Sequence, residues 1–219
     1  MAAGLMPGII VDRRALRKTL IERRLALPAD AWDGHCRRIC ALLQASFPQL
    51  SGMRVGFCWP FRKEPDLRPL ITSWAGEGRP GFVALLPVVI GENRVLAFRA
   101  WSPGTVMVID QHGIPAPAAG DFLIPQALLI PVNGFDAAGH RIGYGGGYFD
   151  RTLASFSPRP LAVGVGFELA RMDSIHPEPH DQRLDAMVTE DGVFFPPPSA
   201  AMARPAAGSV ASGTADGDE

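Results

Sequence analysis

The rarest features of this sequence exclude three broad classes of protein. Its 219 residues include only three cysteines, an odd number without the paired spacing of a disulfide framework. Charged residues make up 20% and the formal net charge is −1, so bulk charge does not favour nucleic-acid binding. The longest clean apolar run, residues 83–90, contains a proline and is far shorter than the roughly 20 residues that a membrane-spanning helix needs. A disulfide-stapled scaffold, a polybasic nucleic-acid binder and a membrane protein are therefore disfavoured.

The N-terminal residues also lack a positively charged segment ahead of their apolar stretch, so we expect no signal peptide and a cytoplasmic protein. Cys36 and Cys40 lie four residues apart, on one face of a predicted helix. No nearby His or Cys completes a set of metal ligands. We therefore interpret both cysteines as core residues in a reducing compartment.

Glycine and proline are plentiful, with 24 and 21 residues, which disfavours an all-helical bundle because both interrupt regular elements. Helical patterns cover residues 13–27 and 30–47, and strand patterns follow them. A continuous apolar run at 127–132 is typical of a buried central strand, and a further strand is predicted over residues 161–167. This alternation predicts an α/β fold: a three-layer α/β/α single domain with a mixed, largely parallel sheet.

We divide the chain into a flexible N-terminus (1–11), an α/β domain (12–195) and a tail (196–219). In the tail, 18 of 24 residues are Ala, Gly, Pro, Ser or Thr, a composition typical of disorder. Residues 102–126 contain repeated prolines and are predicted to be mostly connection.

Arginines fall on one face of the first predicted helix, which Asp12 can cap. The spacing of Arg13, Arg17 and Arg24 places their side chains together. A basic face of this kind is ordinarily solvated. It could instead supply cations to an anionic ligand, and the pattern alone leaves both interpretations open.

The segment with the most chemical signals is residues 129–151, L-I-P-V-N-G-F-D-A-A-G-H-R-I-G-Y-G-G-G-Y-F-D-R. Its glycines allow backbone N–H groups to approach phosphate oxygens, and the helix that follows adds donors at its N-terminus. Neither a P-loop nor a dinucleotide fingerprint fits, because Tyr148 stands where those motifs need Lys or Gly. A flexible loop before a helix remains the alternative.

Several carboxylates lie near predicted strand and helix ends. Asp150, in a first helical turn, suits either dipole compensation or a Mg²⁺ ion held against phosphates. Asp181 and Asp185 offer a second carboxylate before the last strand, although either could be a turn residue. Glu64 could accept hydrogen bonds from the N–H groups of a heterocycle, but its local pattern favours an exposed side chain.

Five blocks, in order, carry a wider resemblance. The strongest is residues 135–151, with F-D, G and R-I-G-Y-G-G-G-Y-F-D-R. The others are R-R-A-L-R at 13–17, W-P with E-P-D at 59–66, L-P-V-V and F-R-A-W at 86–101, and H-D-Q-R-L-D with V-T-E at 180–190. Together they cover about 12 to 195, and the sequence resembles the 5-formyltetrahydrofolate cyclo-ligase (methenyltetrahydrofolate synthetase) family.

The resemblance implies an enzyme of one-carbon metabolism that needs ATP and Mg²⁺. It would convert 5-formyltetrahydrofolate to 5,10-methenyltetrahydrofolate and release ADP and phosphate. An N-formyl oxygen is a poor leaving group, so transfer of the γ-phosphoryl would first give an imidate phosphate. Nitrogen 10 would then attack the formyl carbon as phosphate departs. The enzyme would mainly position two substrates and neutralise phosphate charge.

The resemblance also assigns residues. Catalytic roles fall on Tyr148 and Arg141, and Mg²⁺ on Asp150 and Asp185. ATP would contact Arg13, Arg14, Ala15, Leu16, Arg17, Arg141, Ile142, Gly143, Tyr144, Gly145, Gly146, Gly147, Tyr148 and Phe149. The folate would contact Trp59, Glu64, Tyr144, Gly145, Gly146, Gly147 and Tyr148.

The sequence departs from the family pattern at three places. Arg13 stands where a Lys is usual, which keeps the charge and changes its geometry. Phe149 replaces the second residue of a common Tyr-Tyr pair. Residues 166–170 lack a Gln that is often seen nearby.

Two other functions compete with this reading: a phosphotransferase that uses the same ATP loop on another acceptor, and a non-catalytic folate- or nucleotide-binding protein. Glu64 and the aromatic loop at 57–61 favour folate, and the Asp150–Asp185 pair favours catalysis. We expect a monomer with a small-molecule substrate, without a nucleic-acid or membrane partner. The sequence leaves open whether the folate is polyglutamylated.

Overall fold

The computed structural model describes residues 12–198 of the protein. Its helices are Arg13–Leu25 (α1), Ala29–Ser46 (α2), Arg68–Gly76 (α3) and Tyr148–Ser155 (α4). Its strands are Arg54–Gly56 (β1), Val83–Val89 (β2), Leu96–Ala100 (β3), Met107–Ile109 (β4), Pro115–Pro117 (β5), Ala127–Pro131 (β6), Gly134–Asp136 (β7), Arg141–Ile142 (β8), Leu161–Val165 (β9), Arg171–Met172 (β10), Ala186–Thr189 (β11) and Gly192–Phe194 (β12).

The first two helices follow from local sequence. The Asp12 side chain caps α1 by accepting from the backbone N–H groups of Arg14 (2.9 Å) and Ala15 (3.2 Å), which satisfies donors that a helix start leaves free. Both helices are confirmed close to their predicted bounds. Cys36 is buried and Cys40 half-buried within α2, so the core interpretation of these cysteines is confirmed.

The central sheet has seven strands in the order β12-β11-β9-β6-β1-β2-β3. Its five inner strands run parallel to one another, whereas β3 and β12 pair antiparallel at the two edges. The mixed, largely parallel sheet is therefore confirmed. Pro87 lies in β2 beyond the residues that pair with β1, so its missing N–H breaks no bond to that neighbour.

Helices cover both faces of this sheet. In β6, Ala127 and Leu129 pack into a core with α2 and α3. The alternate residues Leu128 and Ile130 pack with Leu153 of α4 on the other face. This period of two in a strand buried on both sides produces the predicted three layers. Leu20 of α1 packs separately, against a small cluster that includes Ile142 of β8.

Short strands are what the sequence pattern missed. Residues 102–126 include a hairpin of β4 and β5, and β7, β8 and β10 form a second small sheet. Strands of two or three residues show no readable alternation, and prolines at both ends of β5 suggested a connection. Within residues 12–198 no helix is both long and apolar enough to cross a bilayer. The predicted flexible N-terminus and most of the predicted tail lie outside the described residues.

Candidate active site

The candidate site lies where chain segments leave the carboxyl ends of β1 and β6. The loop after β1 carries Trp59 and Glu64, and the segment after β6 leads through β7 and β8 to the glycine loop, residues 143–147. Ligands of open α/β sheets bind at such strand ends. Beside the glycine loop opens a cleft of about 390 Å³, lined by Asn93, Gly145, Gly146, Gly147, Asp150, Arg151, Ala154, His180 and Gln182.

The basic face of α1 points towards these segments. Arg13 Nη1 donates to Asp181 Oδ2 at 2.9 Å, and Arg17 Nε donates to the carbonyl of Gly143 at 2.6 Å. Burial lowers the pKa of Arg17, and the like charges of Arg13 and Arg14 lower it further. A guanidinium held beside other cations attracts an anionic ligand. The solvated-face interpretation therefore does not describe Arg13 and Arg17.

The glycine loop needs its glycines for conformation and for space. Gly145 and Gly147 have φ angles of +96° and +62°, in the left-handed region. A Cβ on Gly145 would lie 3.1 Å from the guanidinium carbon of Arg17, and one on Gly147 would lie 2.7 Å from Nη1 of Arg151. The guanidinium groups of Arg17 and Arg151 therefore lie directly beside the loop backbone, where glycine has no side chain to separate them.

An ion pair between the buried Arg141 and the half-buried Asp150 supports the glycine loop. Arg141 is only 5% exposed, and its Nη2 donates to Asp150 Oδ1 at 2.9 Å. Arg141 Nη1 donates to the carbonyl of Gln182, whose backbone N–H donates to the same Asp150 oxygen at 2.9 Å. Burial lowers the pKa of Arg141, and the charge of Asp150 opposes that effect. Arg141 therefore holds the Asp150 side chain and the backbone at Gln182 in place.

The two candidates for a second carboxylate lie in different surroundings. Asp181 is next to Gln182, and Arg13 and the backbone N–H of Glu178 hold its carboxylate. Bonds from Arg13 and Glu178 outweigh burial and lower the pKa of Asp181.

Asp185, which the sequence-based metal pair joins to Asp150, is bonded to other groups in this structure. Both oxygens of Asp185 accept from Arg159 Nη1 at 2.9 Å, and Oδ2 also accepts from the backbone of Ala162 at 2.7 Å. Asp185 precedes β11 and faces the first residues of β9, so it joins the amino ends of two strands. The described residues 12–198 contain no cluster of three or more His, Cys, Asp or Glu side chains suited to a metal.

The loop after β1 holds Glu64 through an unusual backbone. Arg62 and Lys63 have φ angles of +48° and +55°, which cost energy for residues with a side chain. Two donors from outside the loop and one from within it stabilise this turn. Arg24 Nε donates to the Arg62 carbonyl (2.9 Å), Trp32 Nε1 donates to the Lys63 carbonyl (3.0 Å), and Lys63 Nζ reaches the free carbonyls at the end of α1. Glu64 therefore stands on a rigid support.

Glu64 is 3% exposed, so the surface interpretation of this residue is wrong. One of its oxygens accepts from the backbone N–H of Phe61 at 3.0 Å. Burial raises the pKa of Glu64 to about 7, although the charge of Arg24 and bonds from Phe61 and Tyr144 oppose the shift. A buried carboxylate with spare acceptor capacity suits a ligand that brings its own N–H donors.

Two aromatic residues flank the site. Tyr148 begins α4, and its hydroxyl lies 3.4 Å from Nε2 of His112, at the tip of the β4–β5 hairpin. The guanidinium of Arg151 lies 5.3 Å from the centre of the Tyr148 ring. Trp59 is half-buried beneath the guanidinium of Arg68, 4.6 Å from its ring centre. Both aromatic faces are thus already in contact with cations.

Other residues of the predicted ATP set have different surroundings. Leu16 packs against the small cluster of α1 and β8, Ile142 is fully buried in that cluster, and Phe149 of α4 packs against the core on the α4 face of the sheet. Arg14 and Ala15 are exposed. Among these five, a ligand at the loop can meet the backbone of residues 142 and 149 rather than their side chains.

Three further residues join the site without a sequence signal of their own. Asn133 follows β6 and is buried, His112 lies on the hairpin that the sequence reading missed, and Gln182 bonds to Asp150. Their positions depend on strand endings and on a hairpin that spacing does not reveal. Arg24 could be found, because it continues the spacing of Arg13 and Arg17.

Comparison with known proteins identifies the family. The sequence profile of the 5-formyltetrahydrofolate cyclo-ligase family matches residues 9–190. The 5-formyltetrahydrofolate cyclo-ligase of Mycoplasma pneumoniae is 30% identical over 185 residues, which cover 83% of this chain and 100% of the relative. The Escherichia coli K12 enzyme of the same name is 26% identical over 179 residues, which cover 79% of this chain and 97% of the relative.

Solved structures agree on the fold. The 5,10-methenyltetrahydrofolate synthetase of Aquifex aeolicus superposes with a TM-score of 0.74 at 24% identity, over 89% of this chain and 97% of that one. A synthetase from Mycoplasma pneumoniae gives 0.65 at 22% identity, over 82% and 99%. Because the family profile matches most of its length and a 30% identical relative is covered in full, this chain belongs to the 5-formyltetrahydrofolate cyclo-ligase family of enzymes.

Proposed function

We propose that this protein catalyses the ATP-dependent closure of 5-formyltetrahydrofolate to 5,10-methenyltetrahydrofolate, with release of ADP and phosphate. One observation carries the proposal: a glycine loop flanked by arginines meets a buried carboxylate. Tyr144 of the glycine loop connects the two, because its hydroxyl accepts from Arg24 at 2.8 Å and interacts with Glu64. The names of the relatives support the same reaction.

The phosphates of ATP would lie along the glycine loop. Backbone N–H groups there and at the start of α4 would donate to phosphate oxygens, with Arg13 and Arg17 supplying charge from α1. Arg17 already reaches the loop at the Gly143 carbonyl, 2.6 Å away. The γ-phosphate would then face Tyr148. The protein would neutralise the phosphate charge and would form no covalent bond to either substrate.

The folate would lie against Glu64. Its pterin ring brings adjacent N–H groups, which an ionised carboxylate can accept together. Phe61 and Tyr144 both bond to Glu64, and their ring centres are 5.8 Å apart. With the ring fixed there, the formyl group on nitrogen 5 would point to Tyr148, whose hydroxyl would position its oxygen.

Two steps follow from this arrangement. The formyl oxygen attacks the γ-phosphorus, the bond to the bridging oxygen breaks, and ADP leaves. Nitrogen 10 then attacks the carbon of the imidate phosphate and the five-membered ring closes. Phosphate departs with the electron pair of its C–O bond, and the N–H proton of nitrogen 10 is lost to the departing phosphate. Arg141 would contribute positive charge beneath the loop through both steps.

The donor set at Asp150 fits Mg²⁺. Oδ1 of Asp150 is used by Arg141 and Gln182, while Oδ2 accepts no hydrogen bond from residues 12–198 and the side chain lines the cleft. Mg²⁺ prefers one or two carboxylates plus phosphate oxygens and waters, and it would neutralise phosphate charge. We propose Asp150 and Asp181 as its carboxylates, because Asp181 adjoins Gln182, which lines the cleft with Asp150, whereas Asp185 lies at the amino ends of β9 and β11.

An optical assay tests the reaction. Purified protein is mixed with 5-formyltetrahydrofolate and Mg²⁺, with and without ATP, and the near-ultraviolet band of the methenyl product is followed together with ADP release. We expect the band only with ATP, and one ADP per product. Arg17→Met should lose most of the rate, whereas Arg23→Met, an exposed arginine of the same helix, should keep it.

Other outcomes separate the alternatives. ADP release without the methenyl band would support ATP binding at the glycine loop but not folate as the acceptor. The protein would then be a phosphotransferase that acts on another molecule. Binding of either ligand without turnover would indicate a binding protein. Neither binding nor turnover would contradict the proposed function.

A further inference from the structure

Arg24 is the most deeply buried cation of α1, at 4% exposure, and it touches three separate segments. Nε donates to the carbonyl of Arg62 (2.9 Å), Nη1 to Oδ1 of Asn133 (2.7 Å) and Nη2 to the hydroxyl of Tyr144 (2.8 Å). All three acceptors are neutral. A buried guanidinium with only neutral hydrogen-bond partners is costly unless a charge lies near it.

The nearby charge is Glu64. Four groups face this carboxylate: Arg24 from α1, Tyr144 from the glycine loop, Cys58 from the end of β1, and the backbone of Phe61. Arg24 is the one cation among them. Lys63 and Arg62 are adjacent in sequence but turn away, Lys63 to the end of α1 and Arg62 over the Phe61 ring.

Asn133 shows how Arg24 orders its surroundings. Its Oδ1 accepts from Arg24, which fixes the orientation of the amide. Nδ2 of the same amide is buried and has no partner within the described residues. Buried donors are rarely left unpaired, so this one marks a place where a ligand oxygen or a water completes the network.

We propose that Arg24 is a positioning residue for folate: it supplies the positive charge that faces Glu64 and fixes the loop of residues 61–64 against the glycine loop. This role rests on the proposed function, since it assigns Glu64 to the pterin ring. The two tasks are separable, because a lysine can supply charge without the three-way fork of hydrogen bonds.

The experiment compares Arg24→Met, Arg24→Lys and the control Arg23→Met. Glu64 is titrated by carboxyl ¹³C NMR in the ligand-free proteins, with Glu64→Gln used to assign its signal. We expect Arg24→Met to raise the pKa of Glu64 by about 1 to 3 units. Arg24→Lys should shift it by less than half of that amount, and Arg23→Met should leave it unchanged.

Kinetics then test the consequence for substrate. In Arg24→Met, KM for 5-formyltetrahydrofolate should rise about fivefold or more at pH 7, because a pKa raised by one unit or more from about 7 lowers the ionised fraction of Glu64 from about one half to about one tenth or less. The KM should recover towards pH 9. In a Glu64→Gln background, Arg24→Met should add no pH dependence. A loss of activity that is the same at every pH would instead indicate a purely structural role.

Different outcomes would contradict the role of Arg24 and the proposed function. An unchanged Glu64 titration in a folded Arg24→Met protein overturns the proposal about Arg24, whatever the enzyme does. A wild-type protein without turnover of 5-formyltetrahydrofolate overturns the proposed function, while the ligand-free titration still decides whether Arg24 controls Glu64.

Discussion

At the scale of single residues, Glu64 makes stability depend on pH in an unusual direction. Its pKa rises from the usual 4.5 to about 7 on folding, so between these values the folded protein binds more protons than the unfolded chain. The free energy of unfolding contributed by this residue therefore falls as pH rises, by up to about 3 kcal/mol. Urea denaturation from pH 4.5 to 7.5, on wild type and Glu64→Gln, measures it.

The difference between the two proteins isolates Glu64 from the other carboxyls. Asp66, Asp181 and Glu168 have lowered pKa values, so they contribute stability that is lost at lower pH, and equally in both proteins. Parallel stability curves across pH 4.5 to 7 would contradict the raised pKa of Glu64.

Asparagine substitutions separate the three aspartates near the cleft. Asp150→Asn and Asp181→Asn should fold and lose Mg²⁺-dependent turnover by about 10² or more, since each removes a proposed charged ligand. Asp185→Asn should lower stability by about 1 to 3 kcal/mol through its bonds to Arg159 and Ala162, and keep its Mg²⁺ dependence. Magnesium titrations of the initial rate, with thermal melts, measure both effects.

The reverse pattern would restore the original pairing. If Asp185→Asn raised the Mg²⁺ concentration needed for half-maximal rate and Asp181→Asn did not, Asp185 would be the second ligand and the apo contacts with Arg159 would have to break on binding.

At the scale of elements, the glycine loop joins β8 to α4 under a conformational demand. Gly145→Ala places a Cβ at φ +96° and 3.1 Å from the Arg17 guanidinium carbon. We expect a strain of about 1 to 3 kcal/mol and a KM for ATP raised about tenfold. Gly104→Ala is the matched control, because nothing lies within 4 Å of its added Cβ and it lies far from the loop in sequence. Steady-state kinetics and melting temperatures distinguish the two variants. A KM for ATP in Gly145→Ala equal to that of the control would contradict a role of the glycine loop in ATP binding.

The β4–β5 hairpin shows what element-level prediction loses. Backbone bonds between Asp110 and Ile114 close its turn, and the Asp110 side chain accepts from His112 and Ile114. The hairpin thereby carries His112 to Tyr148. The prolines in β5 indicated a connection, because proline has a low strand propensity. An edge strand nevertheless tolerates proline, since its outer N–H positions need no partner.

At the scale of the whole molecule, ligands should tie α1, the glycine loop and the 178–182 segment together. Arg13, Arg17 and Arg141 already link these parts in the free protein. ATP and Mg²⁺ at about 100 times Kd should add about 2.7 kcal/mol, a rise of about 5 to 10 °C in Tm. Differential scanning fluorimetry measures this shift, and Arg17→Met should reduce it while Arg23→Met should not. No shift at saturating ATP would contradict a nucleotide site.

The sequence by itself determined the layers of the fold and the glycine loop. Periodicity of 3.6 and 2 reports which face of an element is buried, so α1, α2 and the apolar strands β6 and β9 could be placed from spacing alone. The glycine cluster after β6 was likewise readable, because left-handed backbone and close approach both require glycine. Family resemblance, carried by five blocks, added the assignment of residues to ATP and folate.

Only the tertiary structure decided which charges meet. Asp181 and Asp185 are equivalent in sequence terms, yet Arg13 holds one and Arg159 the other. Glu64 has an exposed pattern and is nonetheless buried, because Arg24 and Trp32 bond to the backbone of its loop and Lys63 of the loop bonds to the end of α1. Hydrogen bonds and ion pairs between distant segments depend on a few ångströms of packing, and no local pattern encodes that distance.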